Sequence, residues 1–324
     1  MRRADVIIVF IAVCVALLAC KKGKDKTEEK SAAATSAAAP APEPPAKYAA
    51  GDVLKYMPND CTEGRVFVNA VKLIGKNKPH LDQIKRQLLA GTDPDAKEAN
   101  AVFKELESGG FDLARDFQEV AVCAGFQGDP VVALGLNLDQ VKGDPLELLA
   151  RAVEKGGKPK PTVQKKDGIA YVQPEKEPAV IALVKPTVLL IAKDMTVVAT
   201  AIKGQGSGVF GPAAQHIVWA EFEEGDKITL MATEAGANVD ISISILPQGK
   251  KPEDVRVGLE QMRLQALKDI SKGPFKDFVD DAKKVKFTVE GSRVVAKLSV
   301  ARARIDKLFE DAAAKKPEEL LHAW

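Results

Sequence analysis

Four cysteines, three histidines and one glycine-rich run carry most of the reactive chemistry available to this 324-residue chain. Cys61 and Cys123 stand in the body of the sequence, while Cys14 and Cys20 lie in an apolar N-terminal stretch. In an exported protein, two body cysteines invite a disulfide. Closing a loop of about 62 residues would stabilise the fold by roughly 4 kcal/mol through the lost entropy of the unfolded chain. Geometry decides between that bond and two buried free thiols. Cys61 precedes a first strand and Cys123 lies near the end of the next. The sulfurs can meet if those strands are antiparallel neighbours, and sit at opposite ends if a crossover makes them parallel.

The other reactive groups do not assemble into a motif. His80, His216 and His322 are far apart, and the sequence holds neither HExxH nor CxxC, so no metal site is expected from them. Gly204-Gln-Gly-Ser-Gly-Val-Phe-Gly-Pro212 has the spacing of a phosphate-binding loop but lacks its GK[ST] ending and does not open a helix directly. It reads as a connector. Ser207 within it would need a base to act as a nucleophile, and none is placed for it. Asp277, Asp280 and Asp281 could hold calcium, but with Lys276, Lys283 and Lys284 beside them they read as a solvated acidic face. Two Trp and three Tyr are too few for a stacking platform that binds sugars or bases. The expectation is therefore no catalytic residue, no metal and no cofactor.

The elements that must position these groups are strand pairs and proline-started helices. Asp93-Pro94 and Asp144-Pro145 read as N-cap and first helical residue, with Lys78-Pro79 and Lys251-Pro252 as weaker starts. A strand over residues 65–69 leads into a helical stretch over 79–107, interrupted at Gly91-Thr92-Asp93-Pro94 and stopped by Gly109-Gly110. Residues 119–124 and 131–138 read as a hairpin, and in its second strand Val132, Leu134, Leu136 and Leu138 alternate with Ala133, Gly135 and Asn137. A helix over 145–155 precedes short strands near 162–166, 169–173, 179–184 and 187–193. In the second half, Glu224-Gly225-Asp226 marks a hairpin, and Val239, Ile241, Ile243 and Ile245 alternate with polar residues. Val255, Leu259, Met262, Ala266 and Ile270 form a helical stripe, and Gly291-Ser292 fits a type II′ turn. A last helix carries Ile305, Leu308, Phe309 and Ala312. The tight turns predict an α+β fold with antiparallel sheets packed against helices. The order of elements predicts a first α+β lobe over 48–203, a Gly-rich connector over 204–212 and a second lobe over 213–324. No residue repeat aligns the two, which leaves a duplication open.

The first twenty residues address the chain. Arg2 and Arg3 are followed by an apolar run from Val6 to Ala19, which as a helix is about 21 Å long against a hydrocarbon core of roughly 30 Å. A basic start, an apolar middle of that length and small residues at its end describe an export signal over 1–19. Its end, Leu17-Leu18-Ala19-Cys20, resembles the lipobox of bacterial lipoprotein precursors. The resemblance implies that Cys20 becomes the first mature residue and carries acyl chains. At about 0.8 kcal/mol per buried methylene, two or three chains would hold the protein on a bilayer. Leu18 is tolerated in that family but is less usual there than Ser, Ala or Thr. Lys21, where some relatives carry an inner-membrane Asp, favours the outer membrane by the same resemblance. Residues 21–47, KKGKDKTEEKSAAATSAAAPAPEPPAK, have almost nothing bulky to bury and read as a disordered tether behind the lipidated Cys20. The body resembles, only in pattern, the two-lobed exported lipoproteins of Gram-negative bacteria.

Composition narrows the role further. With 46% hydrophobic and 28% charged residues, the chain is an ordinary globular one, which excludes collagen-like and polytopic membrane proteins. Forty-seven Lys and Arg against 45 Asp and Glu leave a net charge of +2, too balanced for a nucleic-acid partner. The reading is a lipid-anchored envelope protein, not an enzyme, whose body binds or assembles with an envelope partner from the periplasm or the cell surface. A carrier of a lipid-like ligand in an apolar cavity and an envelope enzyme with an unrecognised site are the alternatives.

Overall fold

The computed structural model describes residues 47–89, 94–126, 128–175, 179–204, 210–211, 213–270 and 279–314. Cys20, the segment 1–46, the capping Asp93, Ser207, Asp277, His322 and Trp324 lie outside them.

Period-two alternation makes the strands, and glycine-bearing turns set their register. β1 (Gly64–Asn69) leads through the short helix α1 (Ala70–Ile74) to α2 (Lys78–Leu89), α3 (Pro94–Ser108) and α4 (Leu113–Asp116). The hairpin β2 (Phe117–Phe126) and β3 (Asp129–Leu136) follows, then α5 (Pro145–Lys155), β4 (Val163–Lys166), β5 (Ile169–Val172), β6 (Val180–Lys185), β7 (Val188–Ala192) and α6 (Met195–Gly204). The remaining chain forms β8 (Val218–Glu224), β9 (Asp226–Ala235), β10 (Asn238–Leu246), α7 (Pro252–Ile270), α8 (Val279–Lys284), β11 (Phe287–Glu290), β12 (Arg293–Ala301) and α9 (Arg302–Ala314).

All these strands belong to one twelve-stranded sheet of order β11-β12-β10-β9-β8-β1-β2-β3-β7-β6-β5-β4, antiparallel throughout. Segments 48–203 and 213–324 meet inside this sheet, where β1 pairs with β8 from Gly64↔Phe222 to Val68↔Val218. Each segment runs outward from that pair as a three-strand meander. Each then crosses by a helix and returns inward, so that its last strand lies beside its third. The first segment carries an additional outer hairpin, β4–β5. That hairpin turns through Asp167 and Gly168, both at positive φ, as a type I′ turn requires. At Gly291-Ser292 only the glycine has positive φ, which is the type II′ pattern.

Register sorts the side chains onto two faces. Trp219, Phe67, Ala121, Ala133, Leu190 and Ala182 lie side by side on one face and are buried. They pack under α6, Phe210 and a segment N-terminal to β1. On the other face Val66, Val68, Val120, Val122, Val132 and Leu134 gather with Leu73 and Phe111, and Leu146 and Ala150 of α5 pack beside them against Val172. Asp144 caps α5 by accepting from the amides of Leu146 (2.7 Å) and Glu147 (3.3 Å), with Pro145 at its first position. Of the glycine-rich connector, Gly204 ends α6 and Phe210 and Gly211 are also described, and Phe210 is fully buried with its ring 5.7 Å from that of Trp219.

The stripe expected on α7 holds at Val255 and Leu259, which are half-buried, and fails at Met262. Met262 is 68% exposed, and Val257 and Leu264 are exposed too. The helix packs chiefly on the edge strand β11 and on β12, so contact reaches only part of its circumference, and the amide of Phe287 donates to Glu260 across that contact. Periodicity alone made Met262 part of a buried stripe; the narrow edge strand leaves it in solvent.

Candidate functional site

The segment Tyr48–Cys61 lies as a strap across the sheet, and the side chains holding it down include the body cysteines. Its 3-10 turn, Asp52–Tyr56, places Val53, Leu54 and Met57 in the core beneath α6 and over β2 and β3. Gly51 opens the turn at φ 80, a left-handed conformation that favours glycine. Burying three such apolar side chains supplies on the order of 1.5–3 kcal/mol each.

Small residues on the sheet make the seat. Ala121 and Ala133 face the strap, and Gly135 follows them. A Cβ on Gly135 would stand 2.5 Å from the ring of Tyr48, so the aromatic ring lies directly on the backbone of β3. The hydroxyl of Tyr48 donates to Glu119 Oε2 (2.5 Å), and so does the amide of Gly51 (2.7 Å). Glu119 pairs with Asn69 in the β1–β2 ladder, and Asn69 Nδ2 donates to Glu119 Oε1 at 2.9 Å. Asn69 Oδ1 in turn accepts from the amide of Lys72 and caps α1.

Glu119 is 1% exposed. Burial pushes its carboxyl above the ordinary value, against the pull of Tyr48, Gly51, Lys72 and Asn69. Burial and then the Glu119 carboxylate push the Tyr48 hydroxyl up, which keeps it a donor. Asp52, also buried, behaves in the opposite way. Burial would raise it, but Lys185 at 2.8 Å and Lys55 at 2.7 Å hold it below the ordinary value.

At the other end of the strap Cys61 and Cys123 are disulfide-bonded, with Cα atoms 5.2 Å apart. The antiparallel pairing of β1 with β2 sets Cys123 opposite Arg65, next to the start of β1, which is the arrangement that lets the sulfurs meet. Both half-cystines are buried, Cys123 completely. The strap is thus fastened by a carboxylate clamp at one end and a covalent bond at the other.

The remaining candidates stay apart. His216 Nδ1 lies 2.6 Å from Thr233 Oγ1, and burial, with Lys72 nearby, lowers its pKa, so it serves as a hydrogen-bonded neutral ring at the mouth of β8. Asp280 pairs with Lys283, whereas Asp281 is buried and meets both Lys284 and Arg304. Among the described residues no group of three or more His, Cys, Asp or Glu is placed to hold a metal ion. Sequence reasoning missed the strap. Its signal was β3, whose second face reads Ala133 and Gly135 instead of polar residues, because that face is covered at close range.

These features define an α+β protein built on a twelve-stranded antiparallel sheet with the segment Tyr48–Cys61 locked across one face. No protein-family model matches the chain, and no curated protein matches it. Among solved structures, crystal form III of TP0453 aligns with a TM-score of 0.45 and 9% identity, over 81% of this chain and 98% of that chain. Crystal form I of TP0453 aligns with a TM-score of 0.44 and 10% identity over the same shares.

Proposed function

We propose that this chain is a lipid-anchored cell-envelope protein whose body is a non-catalytic module for binding or assembly. The observation that carries the reading is the strap. Where the expected tether ends, at residue 47, the next residue is already clamped to the central sheet through Glu119. A body hung from Cys20 would therefore be held at its middle strands and not by a loose end. The buried Cys61–Cys123 bond fits an oxidising compartment such as the periplasm or cell surface. Among the described residues no helix is long and apolar enough to cross a membrane. Lys21 behind the lipidated cysteine supports the outer membrane as the destination.

The test is mass spectrometry of the mature N-terminus combined with fractionation of wild type and Cys20→Ser. A diacylated and N-acylated Cys20, with wild type in the membrane fraction and the variant lost from it, is the expected result. Wild-type protein that begins at Met1, or that washes from membranes without detergent, would overturn the reading.

A further inference from the structure

On the sheet face opposite the strap, α2 and the turn that follows α3 enclose an open groove of about 720 Å³, within the range of small-ligand sites. Its far wall is tied together by backbone hydrogen bonds. Gly109, Gly110 and Phe111 close the end of α3 through bonds to Glu105, Glu107 and Leu106, and the amide of Lys142 donates to the Gly109 carbonyl at 2.8 Å. Arg115 completes the wall. Its Nε donates to Asp116 Oδ1 (2.5 Å), and Nη2 donates to Asp116 Oδ2 (2.6 Å) and to the Gly110 carbonyl (2.5 Å). Asp116 is fully buried and keeps the guanidinium charged.

Three acids and four bases line the groove, and their roles differ. The acids are committed within the wall and to one lysine. Glu107 accepts from Lys85 Nζ at 2.6 Å with Asp82 in a longer ion pair to the same nitrogen at 3.7 Å, and Asp112 accepts the Arg115 amide at 2.8 Å. The bases are not all committed. Lys78 makes only a long, solvent-exposed ion pair with Asp112 at 3.8 Å, and Arg86 gives only Nε, to the Asp82 carbonyl of its own helix. Arg115 keeps Nη1 unspent among the described residues. Lys78 and Arg86 stand on α2 at i and i+8 and line the same groove as Arg115, with Phe111 and Pro79 as apolar parts of its lining.

We infer that this groove binds a small ligand carrying an oxyanion, a phosphate group in particular, between Lys78, Arg86 and Arg115. Guanidinium forks and an ammonium suit that shape and charge, and the wall is already in place before binding. The inference does not rest on the lipid anchor. A phosphate can arrive free in solution or as a lipid headgroup, and the two are separable.

Full-length protein in neutral detergent would be titrated calorimetrically with inorganic phosphate and, separately, with a short-chain phosphatidate. Binding with a Kd of about 1 mM or tighter, weakened by added salt, is expected for at least one probe. A response to both assigns a soluble phosphate ligand, and a response to phosphatidate alone assigns a headgroup. Arg86→Ala and Lys78→Ala should each weaken binding about tenfold, with unchanged melting temperature since both side chains are at the surface. Silence from both probes, or affinity indifferent to both substitutions, would overturn the site while leaving the fractionation result for Cys20 untouched.

Discussion

Glu119 shows how one side chain can hold a segment that local sequence does not. Its carboxylate collects donors from Tyr48, Gly51 and Asn69, three points distant along the chain. Glu119→Ala would leave those donors unpaired beside the sheet and should cost roughly 2 kcal/mol in denaturant unfolding. The pH dependence has a definite sign. Because the folded value is raised above the ordinary 4.5, the contribution of Glu119 is complete below that value and is lost as pH rises through the folded one. The gap between wild type and Glu119→Ala should therefore widen on acidification; a gap that narrows would show that burial is not the dominant influence. Gly135→Ala tests the same contact from below. Its methyl group would meet the Tyr48 ring at 2.5 Å, and with that ring held by its bond to Glu119 it should cost roughly 1–3 kcal/mol. An unchanged melting temperature would mean that Tyr48 lifts off at no cost.

Among the elements, the strap and α7 stand at opposite extremes of attachment. The strap has three buried apolar side chains, a carboxylate clamp and a disulfide, while α7 presents Val257, Met262 and Leu264 to solvent. Cys61→Ser with Cys123→Ser removes the covalent fastening and should cost roughly 4 kcal/mol in the chain-entropy account. Hydrogen exchange should then accelerate first at the amides of residues 52–57. Equal acceleration across β1, β2 and the strap would mean that the bond stabilises the whole sheet and not this segment. Turn and cap chemistry was largely legible at this scale. Asp144-Pro145 starts α5, and Gly291-Ser292 makes its predicted turn, because both depend on backbone conformations that only a few residue types favour. The Met262 stripe was misread because periodicity reports which residues share a side of a helix, not how wide a surface awaits them.

At the scale of the molecule, β1 and β8 join two segments that sequence patterning separates at residues 204–212. Five consecutive residue pairs link them, and Phe210 anchors the connector beside Trp219. Unfolding followed by Trp219 fluorescence, in a Trp324→Phe background, should coincide with loss of circular dichroism. Two separated transitions would show that the pairing is too weak to couple the segments.

Alternation, glycine placement and proline at helix starts were enough to determine an α+β chain of antiparallel hairpins, because those signals act within a few residues. The lipobox reading is likewise local and rests on residues 1–20, their basic start, apolar run and cysteine position. Only the tertiary structure decided that β1 pairs with both β2 and β8, that Cys61 reaches Cys123, and that Tyr48, Asn69 and Glu119 converge. Such pairings depend on which distant surfaces bury each other, and a linear pattern leaves many partners equally compatible with the same alternation.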